Sequence, residues 1–134
     1  MNDSLGDRMK NNYESIWKQK LPERMPVIIR LDGKAFHSFT KDCEKPFDEK
    51  LEDCMNTTAL YLCGQIQGAE IAYIQSDEIS ILLNNYKKFD TQSWFGNEIQ
   101  KIVSVSASMA GVVFTQIWQE LNNGILKRYA FFDS

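Results

Sequence analysis

The fold is decided by the stretch VIIRLDG, which is Val27–Gly33. Its residues, apolar nearly throughout, predict a buried strand at the centre of a sheet, with an acid and a glycine at its end. A second apolar run, Ile71–Ile74, is followed shortly by Ser76-Asp77-Glu78. Carboxylates at the ends of two buried strands can hold divalent cations against the phosphates of a nucleotide. The two stretches therefore predict a Mg²⁺-dependent nucleotide site.

The patterns on either side of these stretches predict the remaining elements. These are a helix over residues 4–20 capped by Ser4, a strand over 27–32, a turn or short irregular segment over 36–40, a helix from the cap Asp48 toward Gly64, strands over 69–75 and 79–83, a long helix from Trp94 to Asn123-Gly124, and a strand over 126–132. After the first helix this order is a split βαβ pattern. We expect one α+β, ferredoxin-like domain over residues 1–134, with a four-stranded antiparallel sheet, helices on one face and an additional N-terminal helix.

This topology brings the two acidic groups to one edge of the sheet. Strands one and three lie side by side at the centre, and strands one and two run toward the same edge. Asp32 and Asp77 are therefore expected to meet, with the Gly33 carbonyl as a further oxygen ligand. Glu78 ranks below Asp77 as a ligand, because neighbours in a strand alternate faces. The competing interpretations are an Asp-Gly turn and a solvated hairpin tip.

Other segments are candidates for phosphate binding. Backbone N–H groups in Lys34-Ala35-Phe36-His37 can cradle anionic oxygens. Lys45 adds positive charge before the helix that Asp48 caps. Lys101 interrupts an apolar helix and is a candidate phosphate or RNA contact. Each candidate has an ordinary alternative. His37 would be a loop histidine, and the phenylalanine would belong to the core. Lys45 would be a surface lysine, Asp48 an ordinary helix cap, and Lys101 part of a solvated helix face.

The bulk composition excludes several classes of protein. The net charge of −3 gives no overall basic footprint, although a local basic face stays open. Three cysteines and one histidine lack the spacing of a zinc site, and free thiols suit the cytoplasm. The sequence has no run of about 18 apolar residues and no apolar signal core, so we expect neither a membrane span nor secretion.

The motifs taken together closely resemble the tRNA-histidine guanylyltransferase family and its Thg1-like relatives. The resemblance is carried by Arg30–Thr40, Lys45–Asp48 and Gln75–Ser80, and extends to Trp94-Phe95, Gln100–Ser108 and Phe131–Ser134. It covers roughly residues 5–134.

The resemblance implies a polymerase-like palm that adds nucleotides to the 5′ end of tRNA in the 3′–5′ direction. The 5′ phosphate is first activated by ATP or GTP. The 3′-hydroxyl of an incoming GTP then attacks it, and pyrophosphate is removed. The implied cofactor is a pair of Mg²⁺ ions, and the implied partners are tRNA and further copies of the chain in a tetramer.

The resemblance also assigns residues. It places the two ions on Asp32, the Gly33 carbonyl and Asp77, and the nucleotide along Asp32, Gly33, Lys34, Ala35, Phe36 and His37 and at Ser76-Asp77. Lys45 and Asp48 match positions near the triphosphate, and Glu78 matches a further catalytic acid. Family members are about twice as long, so this chain is expected to lack the C-terminal region that contacts tRNA.

Three functions stay open at this point. The first is a nucleotidyltransferase, acting either on histidine tRNA alone or in general 5′-end repair. The second is a shortened module that binds nucleotide or RNA without full catalysis. The third is a palm-type nucleotide cyclase, which also uses two acids at a strand edge.

Overall fold

A computed structural model of the chain describes residues 4–134. The elements in chain order are α1 (Leu5–Met9), a π-helical turn (Lys10–Glu14), a 3₁₀ turn (Ser15–Trp17), β1 (Val27–Gly33), α2 (Phe36–Phe39), α3 (Glu49–Gln65), β2 (Ala69–Gln75), β3 (Glu78–Leu83), a second 3₁₀ turn (Trp94–Asn97), α4 (Ile99–Leu121) and β4 (Phe132–Asp133). This order confirms the predicted α+β class.

The four strands form one sheet in the order β2-β3-β1-β4. All neighbouring strands are antiparallel, so β1 and β2 run in the same direction. The carboxyl end of β1 therefore lies at the same edge of the sheet as the hairpin between β2 and β3. This is the split βαβ arrangement that the sequence predicts, with β1 in the interior of the sheet.

Only one face of the sheet is covered. In β1, Val27, Ile29 and Leu31 are buried, whereas Ile28 between them is 69% exposed. The predicted buried strand is thus buried on one face, because a single layer of helices covers that face and leaves the other to solvent. The covering layer is α3 and α4, which pack on each other and on the sheet.

The core between sheet and helices is aromatic at the edge where β1 ends. Phe114 of α4 is fully buried, and its ring contacts Phe36, Phe39 and Phe132 at centroid distances of 5.4–5.7 Å. Cys54 of α3 is also buried, and its thiol donates to the Phe114 carbonyl at 3.4 Å. This cluster fixes α2 and the end of β1 against α4.

The N-terminal helix is present but irregular and unpacked. Ser4 caps it as predicted, because its hydroxyl accepts from the backbone N–H of Asp7 at 3.1 Å. The helical segment ends at Trp17 rather than residue 20, after passing through π and 3₁₀ turns. Its apolar residues recur at helical spacing, but they are 46–85% exposed: Leu5, Met9, Tyr13, Ile16 and Trp17.

The fourth strand is much shorter than the predicted 126–132. Only Phe132 and Asp133 pair with β1, opposite Gly33 and Asp32. The preceding segment packs on α4 instead, where the Ala130 N–H donates to the Thr115 hydroxyl at 3.0 Å. Gly111 allows this close approach, because a Cβ there would lie 3.1 Å from the Ala130 carbonyl. The backbone of this segment thus forms a hydrogen bond with α4 before the chain reaches the sheet.

Two helical boundaries also differ from the predictions. The long helix begins at Ile99 rather than Trp94, because Phe95 and Gly96 have positive φ angles of 49° and 57°. Its last residue is Leu121, so it ends shortly before the predicted Asn123-Gly124. Residues 36–39 form a helical turn, one of the two forms predicted for this segment. With a mean hydropathy of 1.3, α4 is long and apolar enough to span a membrane by length and composition alone, but it packs on the sheet and α3.

Candidate nucleotide and metal site

The structure brings Asp32 and Asp77 to the same edge of the sheet. Asp32 lies in β1 directly opposite Glu78 of β3. The backbone N–H of Gly33 donates to the carbonyl oxygen of Asp77 at 3.2 Å. The two acids, 45 positions apart in the chain, are thus joined through a hydrogen bond between Asp77 and the residue after Asp32.

Negative charge is concentrated around Asp32. Partial burial, and then the neighbouring carboxylates of Asp77, Asp133 and Glu78, raise the pKa of Asp32 above its usual value. Asp133 reaches this position because it pairs with Asp32 across β1 and β4. Repulsion of this kind is relieved by a bound cation or by a proton. The edge is therefore electrostatically suited to a cation.

Glu78 is engaged by a basic neighbour on its own side of the sheet. Arg30, which precedes Asp32 by two residues in β1, forms an ion pair with the Glu78 carboxylate. Their side chains are 62% and 30% exposed, respectively. Arg30 therefore partly neutralises Glu78, and Glu78 has less free charge for a metal than Asp32 and Asp77 have.

A cavity of about 380 Å³ opens beside Asp77. It is lined by Gly33, Ala35, Phe36, His37, Thr40, Leu51, Ser76 and Asp77. Six of these eight belong to the two segments predicted to bind nucleotide. Ala35 and Ser76 have positive φ angles of 54° and 57°, which non-glycine residues seldom adopt and which concentrate at functional sites.

Gly33 and Phe36 depend on each other at this cavity. A Cβ on Gly33 would lie 2.3 Å from the Phe36 ring, so the strand can end here only as glycine. Phe36 itself is 3% exposed and stacks on Phe39 at 5.0 Å. The Phe36 ring thus fills the core and forms a wall of the cavity, and its predicted contact with nucleotide stays a prediction.

The other predicted residues lie at different distances from the cavity. His37 is exposed at the cavity, and its Nε2 is 3.0 Å from the Ser38 hydroxyl. The Lys34 side chain is exposed. Its backbone N–H donates to the Phe131 carbonyl at 2.9 Å and so links the end of β1 to the C-terminal segment. Lys45 is also exposed but is not among the residues that line the cavity.

Asp48 acts as the N-cap of α3, as predicted. Its two carboxylate oxygens accept from the N–H groups of Leu51 and Glu44, both at 2.9 Å. Burial raises its pKa, but backbone N–H groups from Glu44, Leu51 and Lys50 outweigh burial, so the pKa of Asp48 lies below its usual value. Both oxygens are thus committed to the backbone.

Lys101 does not line the cavity beside Asp77. It lies in the first turn of α4, where its Nζ is 6.0 Å from the centroid of the Phe95 ring. Helical spacing alone had left open whether it faces the site, and the structure instead places it against the 3₁₀ turn that precedes α4.

Sequence reasoning missed several residues that shape this edge. Arg128 donates to the carbonyls of Ser38 and Phe39 at 2.8 and 2.9 Å and pairs with Asp42, so it fixes the end of α2 beside the cavity. Asp133 completes the acidic group. The only signal for Asp133 was its place at the end of the predicted fourth strand, which antiparallel pairing brings next to Asp32.

The donor set fits Mg²⁺ as a partial site. Within residues 4–134, no group of three or more His, Cys, Asp or Glu side chains is arranged to hold a metal. Mg²⁺ commonly uses one or two carboxylates and completes its shell with waters and substrate phosphates. Asp32, Asp77 and the Gly33 carbonyl offer hard oxygen atoms of this type, next to a cavity that can admit a phosphate.

The protein is thus an α+β domain with an antiparallel palm-type sheet, acids at one edge of the sheet and a cavity beside them. A sequence model described as "Thg1: tRNAHis guanylyltransferase" matches residues 6–134. The chain belongs to this family of nucleotidyltransferases.

Solved structures agree with this assignment. A bacterial tRNA(His) guanylyltransferase (Thg1)-like protein in complex with ATP is 54% identical, with a TM-score of 0.87, over 97% of this chain and 57% of that one. The corresponding GTP complex has the same identity and TM-score, over 61% of its chain. The Saccharomyces cerevisiae enzyme, 22% identical with a TM-score of 0.73, shares the fold.

Curated relatives are longer than this chain. An uncharacterized protein of Acanthamoeba polyphaga mimivirus, R259, is 29% identical over 97% of this chain and 46% of its own length. The tRNA(His) guanylyltransferase of Debaryomyces hansenii is 36% identical over 69% of this chain and 34% of its own length. This chain thus spans less than half of these two relatives.

Proposed function

We propose that this protein is a Mg²⁺-dependent nucleotidyltransferase that extends the 5′ end of tRNA in the 3′–5′ direction. Its substrates are GTP and ATP, it acts in the cytoplasm, and it works as a homo-oligomer. The single observation that carries the proposal is the hydrogen bond from Gly33 to Asp77, which joins the two acidic segments beside a cavity lined by Gly33, residues 35–37 and residues 76–77. Family membership and the ATP and GTP complexes of the bacterial neighbour support it.

The chain's own residues would divide the work as follows. Asp32, Asp77 and the Gly33 carbonyl would hold Mg²⁺, which when bound supplies charge neutralisation for phosphates and activation of a hydroxyl. The backbone N–H of Ala35 and the side chain of His37 would orient phosphate oxygens, because the Lys34 N–H is already bonded to the Phe131 carbonyl. Ser76, whose hydroxyl donates to the Asp77 carboxylate at 3.1 Å, would hold that carboxylate in place.

The reaction needs positioning more than covalent chemistry. The 3′-hydroxyl of GTP attacks the activated 5′ phosphoryl group of the RNA, and AMP or pyrophosphate leaves with the electron pair of the broken P–O bond. Holding the two reactants in line removes much of the entropic barrier. A bound cation would relieve the repulsion among these carboxylates, so metal and substrate are expected to bind together.

A direct assay tests the proposal. The chain is incubated with Mg²⁺, labelled GTP and a 5′-adenylylated tRNA, and the labelled tRNA is measured. We expect Asp32→Ala and Asp77→Ala to lower transfer about 1,000-fold, the loss that several kcal/mol of metal-mediated stabilisation represents. Asp90→Ala, which removes an exposed acid from the loop after β3, is the matched control. Full transfer by either site variant would refute the proposal.

The second candidate is a module that binds nucleotide without catalysis. The observation in its favour is that the similar bacterial protein is described in complex with ATP and with GTP, without an RNA. The same assay separates the two functions, since a module binds GTP with Mg²⁺ but yields no labelled tRNA. A cyclase would instead form a cyclic nucleotide from GTP alone.

A further inference from the structure

The face of the sheet opposite α3 and α4 carries large apolar side chains that are open to solvent. Ile28 is 69% exposed, Ile71 61% and Tyr73 65%. Exposed apolar side chains that lie next to one another on a flat surface mark interaction sites. This face of the sheet is therefore a candidate interaction surface.

The strand register arranges these side chains in rows across β2, β3 and β1. Tyr73, Ser80 and Arg30 are directly opposite one another, and so are Ile71, Leu82 and Ile28. The next row in the other direction is Gln75, Glu78 and Asp32. Because alternate residues share a face, Asp32 looks out on the same side of the sheet as Arg30 and Ile28.

These rows lie at a defined distance from the acids. Two residues along a strand span about 6.6 Å, so the Tyr73–Arg30 row lies about 7 Å from the acidic row and the Ile71–Ile28 row about 13 Å. An RNA that approaches Asp32 across the open face of the sheet would pass its first nucleotides over these rows. The exposed surface is therefore continuous with the candidate site.

The chemistry of the rows suits nucleobases. Aromatic and apolar side chains on an open four-stranded sheet provide stacking surfaces for unpaired bases. Arg30 adds a guanidinium that remains 62% exposed despite its ion pair with Glu78, so it can face a base or a phosphate. The net charge of −3 does not attract RNA, so stacking and the Arg30 guanidinium have to supply the binding.

We propose that this face, which we call the base platform (Tyr73, Ile71, Ile28 and Arg30), stacks the first nucleobases of the RNA end that reacts at Asp32 and Asp77. The inference rests on the proposed function and deepens it by naming how the RNA substrate is held. The base platform binds RNA, whereas the cavity beside Asp77 binds the nucleoside triphosphate.

The test measures two affinities in the complete chain. One probe is a 12-nucleotide single-stranded RNA with a 5′ monophosphate and a 3′ fluorescein, followed by anisotropy; the other is GTP with Mg²⁺. We expect Tyr73→Ala to weaken RNA binding about tenfold, from the loss of one stacked base, and to leave GTP binding within about twofold. Tyr73→Phe keeps the ring and should bind RNA as the unsubstituted chain does.

Tyr13→Ala is the matched control, because Tyr13 is 62% exposed but lies on the N-terminal helical segment. Unchanged RNA affinity in Tyr73→Ala, an equal loss in Tyr13→Ala, or no RNA binding by the unsubstituted chain would each overturn the inference. A photo-crosslinker at position 73 that captures a second copy of the chain instead of RNA would also overturn it. Failure of the proposed function would show differently, as absence of GTP binding and of transfer.

Discussion

Asp32 and Asp133 stand directly opposite each other in the neighbouring antiparallel strands β1 and β4. Like charges in this relationship destabilise a sheet. With Asp77 and Glu78 nearby, their repulsion is part of what raises the pKa of Asp32. The edge therefore retains an arrangement that costs stability and that a bound cation would relieve.

Removing the charge of Asp32 should stabilise the fold. We expect Asp32→Asn to raise Tm by about 2 °C at neutral pH, the effect of about 0.5 kcal/mol in a domain of this size, while abolishing transfer. The pKa of Asp32 is raised in the folded state, so protonation of Asp32 stabilises the fold. This stabilisation is lost as the pH rises from 3.8 through the pKa of the folded state. The gain in Tm should therefore vanish below pH 3.8. A Tm measured across pH that shows a loss at neutral pH would contradict this account.

Metal binding should be visible as stability. Mg²⁺ with GTP is expected to raise the free energy of unfolding of the unsubstituted chain by about 2.7 kcal/mol at a hundredfold excess over Kd. EDTA should reverse the increase. Asp77→Asn should show little of it, whereas Asp90→Asn should show all of it, because Asp90 is an exposed loop residue. An equal increase in both variants would place the metal elsewhere.

Gly33→Ala should destabilise the site through Phe36. The added methyl group would lie 2.3 Å from the Phe36 ring, so the ring or the strand must shift. We expect a loss of about 1–3 kcal/mol, as for overpacked cores, measured by urea unfolding. Gly64→Ala is the control, because no atom lies within 4 Å of its Cβ and alanine favours a helix; it should stabilise by up to about 1 kcal/mol.

A double-mutant cycle identifies the cause of the Gly33 effect. Phe36→Leu alone costs packing, but it removes ring atoms that the Gly33 methyl group would meet. The combined variant should therefore lose less than the sum of the two single losses. Additive losses would mean that Gly33 is required for its backbone and not for the ring beside it.

The central elements could be predicted because their signals are local. The apolar runs before Asp32 and Asp77 indicate strands, and the split βαβ order fixes which ends meet. Asp48 was identified as a cap from the helix that follows it. These predictions depend on neighbours in sequence, where hydrophobic pattern and capping chemistry are direct.

The remaining features depend on tertiary contacts that no local pattern contains. The short β4 results from competition between the sheet and Thr115 of α4 for the same backbone. Phe36 fills the core because Phe114 and Phe132 converge on it from distant segments. The amphipathic N-terminal segment has a correct helical period, yet within residues 4–134 its apolar side chains, such as Trp17 at 85%, stay exposed.

Asp48 provides the last test, because the family resemblance and the structure give it different roles. Its carboxylate caps α3 and also accepts from Glu44, so Asp48→Ala should cost about 1–2 kcal/mol in urea unfolding. The pKa of Asp48 is lowered in the fold, so this contribution is present above pH 3.8 and is lost as pH falls through the lower folded value. Asp53→Ala, which removes an exposed acid of the same helix, should change stability little. GTP affinity measured at a temperature where Asp48→Ala stays folded should be unchanged within about twofold, because both oxygens serve the backbone. A large loss of GTP binding without loss of stability would instead support a role for Asp48 in binding the triphosphate.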